Sequence, residues 1–410
     1  GLQSLLIVFT KRKDIRNAGN PNPTVYFNAL GLNNLPQKQK DEKGYDIVSW
    51  YSRWENRQKD LGAYCHSVKN TSKTDLNGVP VIYVSLALTT LKGFSQILQY
   101  FLGLLWMPYL ALIDLIKGRY WHALLLSESF QSFYFRLLDS EQISVDYLFH
   151  NTGYLFRPIW TYDAEERGAR ILFYFYSSNI ERFKEAGGYG IQPNSWQLIT
   201  WSNYLVWDEY QADFIRRMTG DHRNIEIVGP IDFQDNCVEF QDLPKHSVLV
   251  FDVQPQRDAQ YQMYMSVPEF FVPEIVNKFI SDIKEMVDLH NYTMVLKRKR
   301  DVGNLLNSKY KKYIDRLSLS SNFLELDSNI SASRLIYRSE IVISLPFTAT
   351  AIIAKKEGKV SIYYDPSGIV QKDDRAAHGI EIVSGFAELN QWFMKINKKL
   401  VDTNTIKIKN

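Results

Sequence analysis

The sequence predicts an α/β protein built from two doubly wound, Rossmann-type domains. Its 410 residues exceed what one hydrophobic core ordinarily organises, which favours two domains. In the second half, short apolar strands alternate with helical stretches, the pattern of a parallel sheet covered by helices. The first half shows the same alternation less regularly. The 45% hydrophobic and 23% charged residues are typical of a soluble globular chain.

A polar connection marks the expected passage from the first domain to the second. An apolar strand at 225–228 is stopped by Gly229 and Pro230, and a new apolar strand begins at 248. The predicted domains are therefore 1–235 and 236–410.

The first half contains strand patterns separated by polar loops. Runs of β-branched and aromatic residues favour strands, whereas clusters of Gly, Asn and Pro favour loops. The predicted strands are 2–9, 81–86, 145–149, 171–176 and 204–207. Helices are expected at 209–218 and from about Ile180, where Ser177, Ser178 and Asn179 supply capping side chains.

Residues 94–120 form the most apolar stretch of the chain. Gln99, Gly103, Pro108 and Asp114 interrupt the apolar character of its central part. Its length approaches the roughly 20 residues that cross a bilayer, but Gln99 and Asp114 would make crossing costly. We expect a buried core helix or a helix pair broken at Pro108. A helix lying on a membrane face is the alternative.

The second half alternates cleanly between the two kinds of element. The predicted strands are 248–251, 293–296, 323–326, 341–344 and 360–363. The predicted helices are 268–289, 304–317, 331–338, 348–357 and one near 387–397. Two facing domains of this kind, with the active site in the cleft between them, form the architecture called GT-B.

Composition and motifs exclude several classes of function. The net charge of +3 is too near balance for nucleic acid to be the main partner. The two cysteines, Cys65 and Cys237, exclude a disulfide framework and fit a reducing cytoplasm. The histidines show no paired ligand spacing, and there is no GxGxxG or Walker loop, so we expect no metal and no dinucleotide cofactor. Aromatic residues, 14% of the chain, favour a carbohydrate ligand weakly.

Three loops of the second half follow strands and should share one edge of the sheet. Their candidate donor-binding residues are Gln254, Arg257, Lys297, Lys299, Ser344, Pro346, Phe347 and Thr348. The third loop runs straight into a helix, whose free N–H groups and dipole favour an anion. An ordinary helix cap and a solvated basic surface are the alternatives. Together the loops fit a nucleotide with one or two phosphates.

Asp232 is the first candidate for chemistry. A carboxylate just past a strand end, at a domain junction, can face a bound ligand. The alternative is that Asp232 caps a turn or a helix. Arg157, Trp160 and Asn179 lie at predicted strand ends of the first domain and would face the cleft. Structural roles are the alternative for these three, and Trp160 would then belong to the core.

Several short motifs resemble the PFTS polysaccharide biosynthesis proteins. Residues 344–350, SLPFTAT, are similar to the motif that names this group, with alanine where the name has serine. Further similar stretches, in the same order and spacing, are 157–160, 176–179, 228–231, 364–368 and 378–380. The matches cover about residues 145–385. The group includes the retaining β-Kdo transferases of glycosyltransferase family 99, which build bacterial surface polysaccharides.

The resemblance implies a GT-B-like transferase that moves Kdo (3-deoxy-manno-oct-2-ulosonic acid) from CMP-Kdo without a metal. The acceptor would be an oligosaccharide or a lipid-linked glycan of O-antigen or capsule, and Arg157, Trp160 and Asn179 could hold the acceptor sugar or the Kdo. CMP would lie on the C-terminal domain, where basic residues would bind the phosphate and the Kdo carboxylate. Retention needs a double displacement or a front-face reaction. We expect Asp232 to be the nucleophile of a double displacement, with Asp208 and Glu209 as substitutes.

Other functions stay open at this stage. An inverting CMP-sialic acid or CMP-Kdo transferase would use Asp232 as the general base. A non-catalytic module would bind the nucleotide sugar without turnover. The chain could also be one module of a larger enzyme. The cytoplasm is the expected location, at the cytoplasmic face of the inner membrane if residues 94–120 contact the bilayer.

Overall fold

The structure is a computed structural model. It describes residues 24–37, 43–55, 61–68, 74–84, 91, 93–151, 156–178, 180–220, 222–257, 272–299 and 302–408. The predicted strand at 2–9 and the candidate residue Asn179 lie outside the described residues.

The chain divides into two compact units. The first unit comprises Gly1–Tyr176, Pro193–Trp207 and Ala212–Gln234, and the second comprises Ser177–Gln192, Asp208–Gln211 and Asp235–Asn410. Two short segments of the first half therefore cluster with the second unit. The single domain boundary predicted after residue 235 assigns both segments to the first domain.

The described residues form strands that alternate with helices. The strands are β1 (Thr24–Phe27), β2 (Ala63–His66), β3 (Thr74–Leu76), β4 (Val79–Tyr83), β5 (Asp146–His150), β6 (Arg170–Tyr174), β7 (Lys184–Glu185), β8 (Gly188–Tyr189), β9 (Asn203–Val206), β10 (Asn224–Ile227), β11 (Ser247–Phe251), β12 (Thr293–Lys297), β13 (Phe323–Leu326), β14 (Ile341–Ser344), β15 (Val360–Asp365) and β16 (Ile382–Ser384). The α-helices are α1 (Ile47–Glu55), α2 (Phe94–Ile116), α3 (Trp121–Leu124), α4 (Leu126–Arg136), α5 (Trp160–Glu166), α6 (Glu209–Thr219), α7 (Pro273–Leu289), α8 (Ser308–Leu317), α9 (Ala332–Arg338), α10 (Ala349–Lys356) and α11 (Gly385–Ile408).

The first unit contains an eight-stranded sheet in the order β10-β9-β6-β5-β1-β2-β4-β3. Neighbouring strands are parallel except β3 and β4. The central strands β1, β2 and β5 are buried along their whole length, as expected of a parallel sheet covered on both faces.

The second unit contains a six-stranded, fully parallel sheet in the order β13-β12-β11-β14-β15-β16. Alternate residues of a strand point to opposite faces, so Val250 joins a core with Phe279 and Ile283 of α7. Leu249 points the other way and packs with Leu335 of α9. The predicted α/β class, with parallel sheets in two units, is confirmed.

The segment after β6 differs from the prediction. Instead of a helix from Ile180, it forms the antiparallel hairpin of β7 and β8. Within the second unit, the Phe183 ring stacks on Phe347 with 3.7 Å between centroids. The Arg375 guanidinium donates to Glu181 at 2.7 Å. These tertiary contacts outweigh the local capping signal.

The apolar stretch forms one helix, α2, and the expectation of a buried core helix is wrong. α2 continues through Pro108 without a break. Only 11% of its most apolar 18-residue window is buried, although the helix is long and apolar enough to cross a membrane by length and composition. Proline costs less on a half-exposed helix because water can bond the carbonyl that lost its N–H partner.

Candidate functional site

Each unit has a point at which its strand order reverses. In the second unit, numbered from β11, the order is 3-2-1-4-5-6, and the reversal lies between β11 and β14. In the first unit the reversal lies between β1 and β5. Ligands of open α/β sheets bind beyond the carboxyl ends of the strands at such a switch point. We call the edge at which the strands of a sheet end its carboxyl edge.

Strand register brings the three predicted loops of the second unit together. Phe251, the last residue of β11, lies opposite Lys297 on one side and Ser344 on the other. The loops that follow these residues therefore leave the same carboxyl edge. The prediction that they share one edge is confirmed, whereas their binding of a nucleotide stays a prediction.

Lys297 is a buried cation at this edge, with 6% of its surface exposed. Burial lowers the pKa of its ammonium from 10.5 to about 8, and the nearby Asp252 and Asp327 carboxylates oppose this shift. An incompletely solvated ammonium gains more from a bound anion than a surface lysine does. Lys297 is thus the strongest candidate among the described residues of this edge for binding a phosphate or carboxylate.

Asp252 immediately follows β11 and is fully buried beside Lys297. Burial raises the pKa of its carboxyl from 3.8 to about 6, against the lowering effect of the Tyr310 hydroxyl, which donates to Oδ2. Its Oδ1 has no hydrogen-bond partner within the described residues. A buried carboxyl of this kind either keeps Lys297 oriented or bonds a donor group of a ligand.

The loop after β14 presents the start of α10. The Leu345 N–H donates to the Phe251 carbonyl at 2.9 Å, which holds the loop against β11. The Thr348 hydroxyl donates back to the Leu345 carbonyl at 2.9 Å and does not cap α10. Thr350 connects the hydroxyls of Ser344 and Thr348, at 2.8 and 3.1 Å. N–H groups of the first turn of α10 are therefore not satisfied by a side-chain cap, as an anion site requires.

Three predicted donor-binding residues of this loop have interior positions. Ser344 is fully buried and Phe347 is 3% exposed. Phe347 has a left-handed backbone, with φ of 61°, and its ring packs against Phe183 and Tyr363. Pro346 is also buried. The structure therefore favours a supporting role for Ser344, Pro346 and Phe347 over direct contact with a ligand.

The remaining residues of the predicted set belong to the loops that follow β11 and β12. Gln254 is 7% exposed, whereas Arg257 and Lys299 are exposed. The Arg257 N–H donates to the Leu305 carbonyl at 2.9 Å, which holds the first loop to the turn before α8. Arg257 and Lys299 can reach a charged ligand only from the solvent side.

Asp208, a predicted substitute nucleophile, already has structural partners in the second unit. The His378 Nδ1 lies 2.9 and 2.7 Å from its two carboxylate oxygens. Oδ1 also accepts from the Gln211 N–H at 3.0 Å and so caps α6. Glu209, the other substitute, is exposed in the first turn of α6. The geometry disfavours Asp208 as a nucleophile.

The switch point of the first unit carries buried histidines. The His150 Nε2 donates to the Ala29 carbonyl at 3.2 Å, and Ala29 itself has a left-handed backbone with φ of 53°. Burial lowers the pKa of His150, and it lowers the pKa of His66, at the end of β2, to about 4. Both imidazoles are therefore neutral at pH 7 and can donate or accept a hydrogen bond.

Asp232 lies at the carboxyl edge of the first unit's sheet. Its neighbour Phe233 packs against the rings of His150 and Tyr176, with centroids 5.3 and 5.0 Å apart. The Asn34 side-chain amide donates to the Phe233 carbonyl at 2.8 Å. These contacts hold the segment that follows β10 across the ends of the central strands.

Arg53 of α1 orients the Asp232 carboxylate. Its Nη2 donates to Oδ2 at 2.8 Å, and its Nη1 donates to the Gly44 carbonyl at 2.7 Å. The Asp232 side chain is 16% exposed, so the carboxylate is positioned and still reachable from solvent. Such a group can act as a nucleophile or as a general base.

Arg157 and Trp160 are interior residues of the first unit, which favours the structural alternative for both. The Arg157 guanidinium donates to Thr161 at 2.9 Å, Ser202 at 2.6 Å and Glu165 at 2.6 Å. Trp160 is 5% exposed and packs against aromatic side chains of the core. Neither side chain supports the prediction of acceptor binding.

Sequence reasoning missed two residues of these edges, Arg53 and His66. Asp252 and Thr350 belong to the predicted loops but not to the predicted binding residues, although a carboxylate directly after a buried strand is placed at the carboxyl edge. Arg53 had no such signal, since it precedes Asp232 by 179 residues and meets it only in the folded unit. No group of three or more His, Cys, Asp or Glu side chains suited to a metal ion occurs among the residues that the structure describes.

Comparisons with known proteins give one family and several distant structural likenesses. The family model of polysaccharide biosynthesis PFTS motif proteins matches residues 100–393. The comparison with curated proteins gives no match.

Three solved structures illustrate the distant likenesses. The UDP-GlcNAc 2-epimerase from Methanocaldococcus jannaschii is 8% identical, with a TM-score of 0.43, and the match covers 90% of this chain and 89% of that one. UGT2 of Phytolacca americana, complexed with UDP-2-fluoroglucose and pterostilbene, is 10% identical, with a TM-score of 0.39 and coverage of 84% and 80%. A UDP-glucosyltransferase from Polygonum tinctorium is 10% identical, with a TM-score of 0.38 and the same coverage. At these TM-scores we draw no functional conclusion from the likenesses.

Proposed function

Since the chain belongs to the family of polysaccharide biosynthesis PFTS motif proteins, we propose that it is a retaining glycosyltransferase that moves Kdo from CMP-Kdo to a sugar acceptor. The family match supports a role in polysaccharide synthesis. The donor, the stereochemistry and the nucleophile are our proposal. The observation that carries it is the Asp232 carboxylate, which Arg53 orients and solvent can reach.

The second unit binds CMP in this proposal. CMP-Kdo carries a single phosphate, which matches one helix N-terminus and one buried ammonium. The first turn of α10 and Lys297 supply these two groups at the same carboxyl edge. Thr348 and Thr350 line the start of α10 and keep its geometry through their hydroxyl bonds. The exposed cations Arg257 and Lys299 are then available to bind the Kdo carboxylate.

The first unit supplies the nucleophile. Asp232 attacks C2 of Kdo, the bond from C2 to the phosphate oxygen breaks, and CMP leaves with the bonding electrons. The acceptor hydroxyl then attacks C2 of the glycosyl-enzyme, its proton passes to a base or water, and the Asp232 carboxylate is released. Two inversions give net retention. Arg53 keeps the carboxylate directed during both steps.

The proposed acceptor is an oligosaccharide or lipid-linked glycan of O-antigen or capsule. The proposed location is the cytoplasm, and the proposed reaction uses no metal. Turnover that persists in excess EDTA would support the last point, and loss of turnover that Mg²⁺ restores would contradict it.

Intact-protein mass spectrometry tests the proposed nucleophile. Wild type, Asp232→Asn and Asp208→Asn are each incubated with CMP-Kdo generated in situ, and CMP release is followed in parallel. We expect a mass increase of one Kdo on wild type and on Asp208→Asn, but not on Asp232→Asn. The Asp208 variant is the matched control because it removes another aspartate that follows a strand, one that already has structural partners.

Two outcomes would contradict the proposal in different ways. CMP release that requires acceptor, with no adduct on any protein, would indicate an inverting or front-face reaction with Asp232 as base or bystander. CMP binding without release under any condition would indicate a nucleotide-sugar-binding module.

A further inference from the structure

The exposed apolar side chains of this protein are concentrated in one region. Of the 29 exposed large hydrophobic side chains in the described residues, 14 lie between Phe94 and Leu125. Single exposed hydrophobic residues are ordinary on soluble proteins, but a contiguous patch of this size marks an interaction surface.

The exposed residues of α2 form a continuous face. They recur at intervals of three and four residues, which places them on one side of a helix. The central row of this face is Leu98, Leu102, Leu105, Tyr109, Leu112 and Ile116, with exposures from 48% to 78%. Asp114 is the single Asp, Glu, Lys or Arg within α2. We call this row, together with the exposed Trp106 and Trp121, the apolar face.

The opposite side of α2 is packed onto the first unit. Tyr100 is fully buried and meets Tyr134 of α4 edge-on, with 5.0 Å between centroids. Gly103 lies so close to Phe133 that an added Cβ would come within 2.3 Å of that ring. A transmembrane orientation would remove these contacts, so the helix is held with its length along the surface of the unit.

The composition around the apolar face matches a membrane interface. Trp106, Tyr109 and Trp121 are 60%, 52% and 64% exposed, and Trp and Tyr are the side chains enriched at the level of lipid headgroups. Lys117 and Arg119 follow the end of α2 and are both exposed. The one acidic side chain, Asp114, is paired with His122 at 2.5 Å and faces Arg119 at 4.0 Å.

We propose that the apolar face docks on the surface of a bilayer that contains anionic lipid. α2 would lie in the plane of the interface, with the leucine row roughly 5–10 Å into the headgroup and acyl boundary. Lys117 and Arg119 would contact the anionic headgroups. This surface brings the first unit to a membrane whether or not the proposed transfer reaction is correct.

The width of the apolar face favours a lipid surface over a second copy of the chain. A helix pair buries a narrow seam of about two residues in seven. Here Trp106, Leu110 and Leu115 extend the exposed apolar surface to both sides of the central row. Trp121 and Leu124 of α3 continue it beyond the helix. A broad, charge-free face bordered by aromatic and basic residues is typical of an interfacial helix.

Vesicle flotation with the full chain tests the proposal. The vesicles contain phosphatidylcholine alone or phosphatidylcholine with about one-third phosphatidylglycerol. We expect wild type to float with the mixed vesicles, and Leu105→Glu/Ile116→Glu to bind at least about tenfold more weakly. Lys117→Glu/Arg119→Glu should lose most of the preference for phosphatidylglycerol.

A matched control separates this surface from general hydrophobicity. Leu105 and Ile116 are 74% and 78% exposed, and Leu198 and Leu319, which lie elsewhere, are 76% and 86% exposed. Leu198→Glu/Leu319→Glu should therefore float like wild type. Thermal melts followed by circular dichroism show whether each variant is folded.

Three results would overturn the proposal. The first is wild-type protein that stays with the soluble fraction in both vesicle mixtures. The second is equal flotation of wild type and folded Leu105→Glu/Ile116→Glu. The third is a wild-type dimer in sedimentation velocity that becomes monomeric in that variant without any vesicle binding, which would make a second copy the occupant.

Discussion

Apart from the additional strands β3 and β10 of the first unit, the two units share one strand order, but they differ in the chemistry of their switch points. The edge of the second unit combines a buried ammonium, hydroxyl groups and the start of a helix. The edge of the first unit combines an arginine-paired carboxylate, neutral histidines and aromatic rings. In the proposed reaction, the switch point of the second unit would hold an anion and that of the first unit would hold the reacting carboxylate.

Under the proposed reaction, donor binding depends on the second unit and the chemical step depends on the first. Changes at the second unit's edge should weaken donor binding, whereas changes at the first unit's edge should slow turnover of bound donor. The following variants, in order of expected effect, test this separation.

Asp232→Asn should lower kcat by about 10³-fold or more, because an amide neither forms the glycosyl-enzyme nor accepts a proton. The affinity for CMP should stay within about twofold, since the change leaves the second unit intact. Steady-state kinetics and calorimetric titration with CMP measure the two quantities. Asp208→Asn is the control and should retain kcat within about tenfold. Equal loss in both variants would end the assignment of the reaction to Asp232.

Lys297→Met should weaken CMP binding by about 10- to 100-fold, because it removes a hydrogen bond between charged groups and such a bond contributes about that much to affinity. Lys299→Met, on the same strand end but exposed, should change affinity less than about threefold. In wild type, affinity should fall as the pH rises through about 8, because the pKa of Lys297 lies near 8 and the ammonium is then lost. The CMP phosphate, with a second pKa of about 6, keeps its charge over that range. A pH-independent affinity between pH 7 and 9.5, or equal effects of the two variants, would assign the phosphate elsewhere.

Asp252→Asn tests whether the pKa of the buried Asp252 carboxyl is raised, because a raised pKa makes the stability of the protein depend on pH. The folded-state pKa is raised from 3.8 to about 6, so the native state binds more protons than the unfolded state between these values. The free energy of unfolding of wild type should therefore fall by about 2–3 kcal/mol from pH 4 to pH 6.5, relative to the variant. Denaturant titrations at each pH measure this difference. If the free energy of unfolding depends on pH in the same way for both proteins, the pKa of the Asp252 carboxyl is not raised.

Thr350→Val should have the smallest effect. It removes the hydroxyl that joins Ser344 and Thr348, which should cost about 1 kcal/mol in stability and less than about fivefold in CMP affinity. Thr350→Ser keeps the hydroxyl and should behave like wild type in both measurements. A Thr350→Val protein with unchanged stability and affinity would show that the hydroxyl chain does not shape the start of α10.

Most strands were predictable because their signal is local. The predicted strands 248–251, 293–296 and 341–344 match β11, β12 and β14 within one residue at each end. Continuous β-branched and aliphatic runs between polar loops admit few other structures in a chain of this length. Because β11, β12 and β14 are parallel, Lys297 and Ser344, at the ends of β12 and β14, lie at one edge of the sheet.

The failures of prediction involve contacts between distant residues. Ser177 and Ser178 carry a capping signal, but the hairpin of β7 and β8 follows them instead of a helix, and Phe183 just before it stacks on Phe347. Arg157 follows a predicted strand end in the sequence, yet its guanidinium bonds to Thr161, Ser202 and Glu165 inside the first unit.

The sequence by itself determined the α/β class, the paired parallel sheets and the candidate edge of the second unit, because these depend on local apolar periodicity and on loops that directly follow strands. Tertiary structure alone decided that Arg53 meets Asp232, that Ser344 and Phe347 lie inside, and that α2 turns its apolar side outward. An apolar helix has the same sequence pattern whether a core or a bilayer covers it. Only the packing of Tyr100 and Gly103 on α4 shows which side remains exposed.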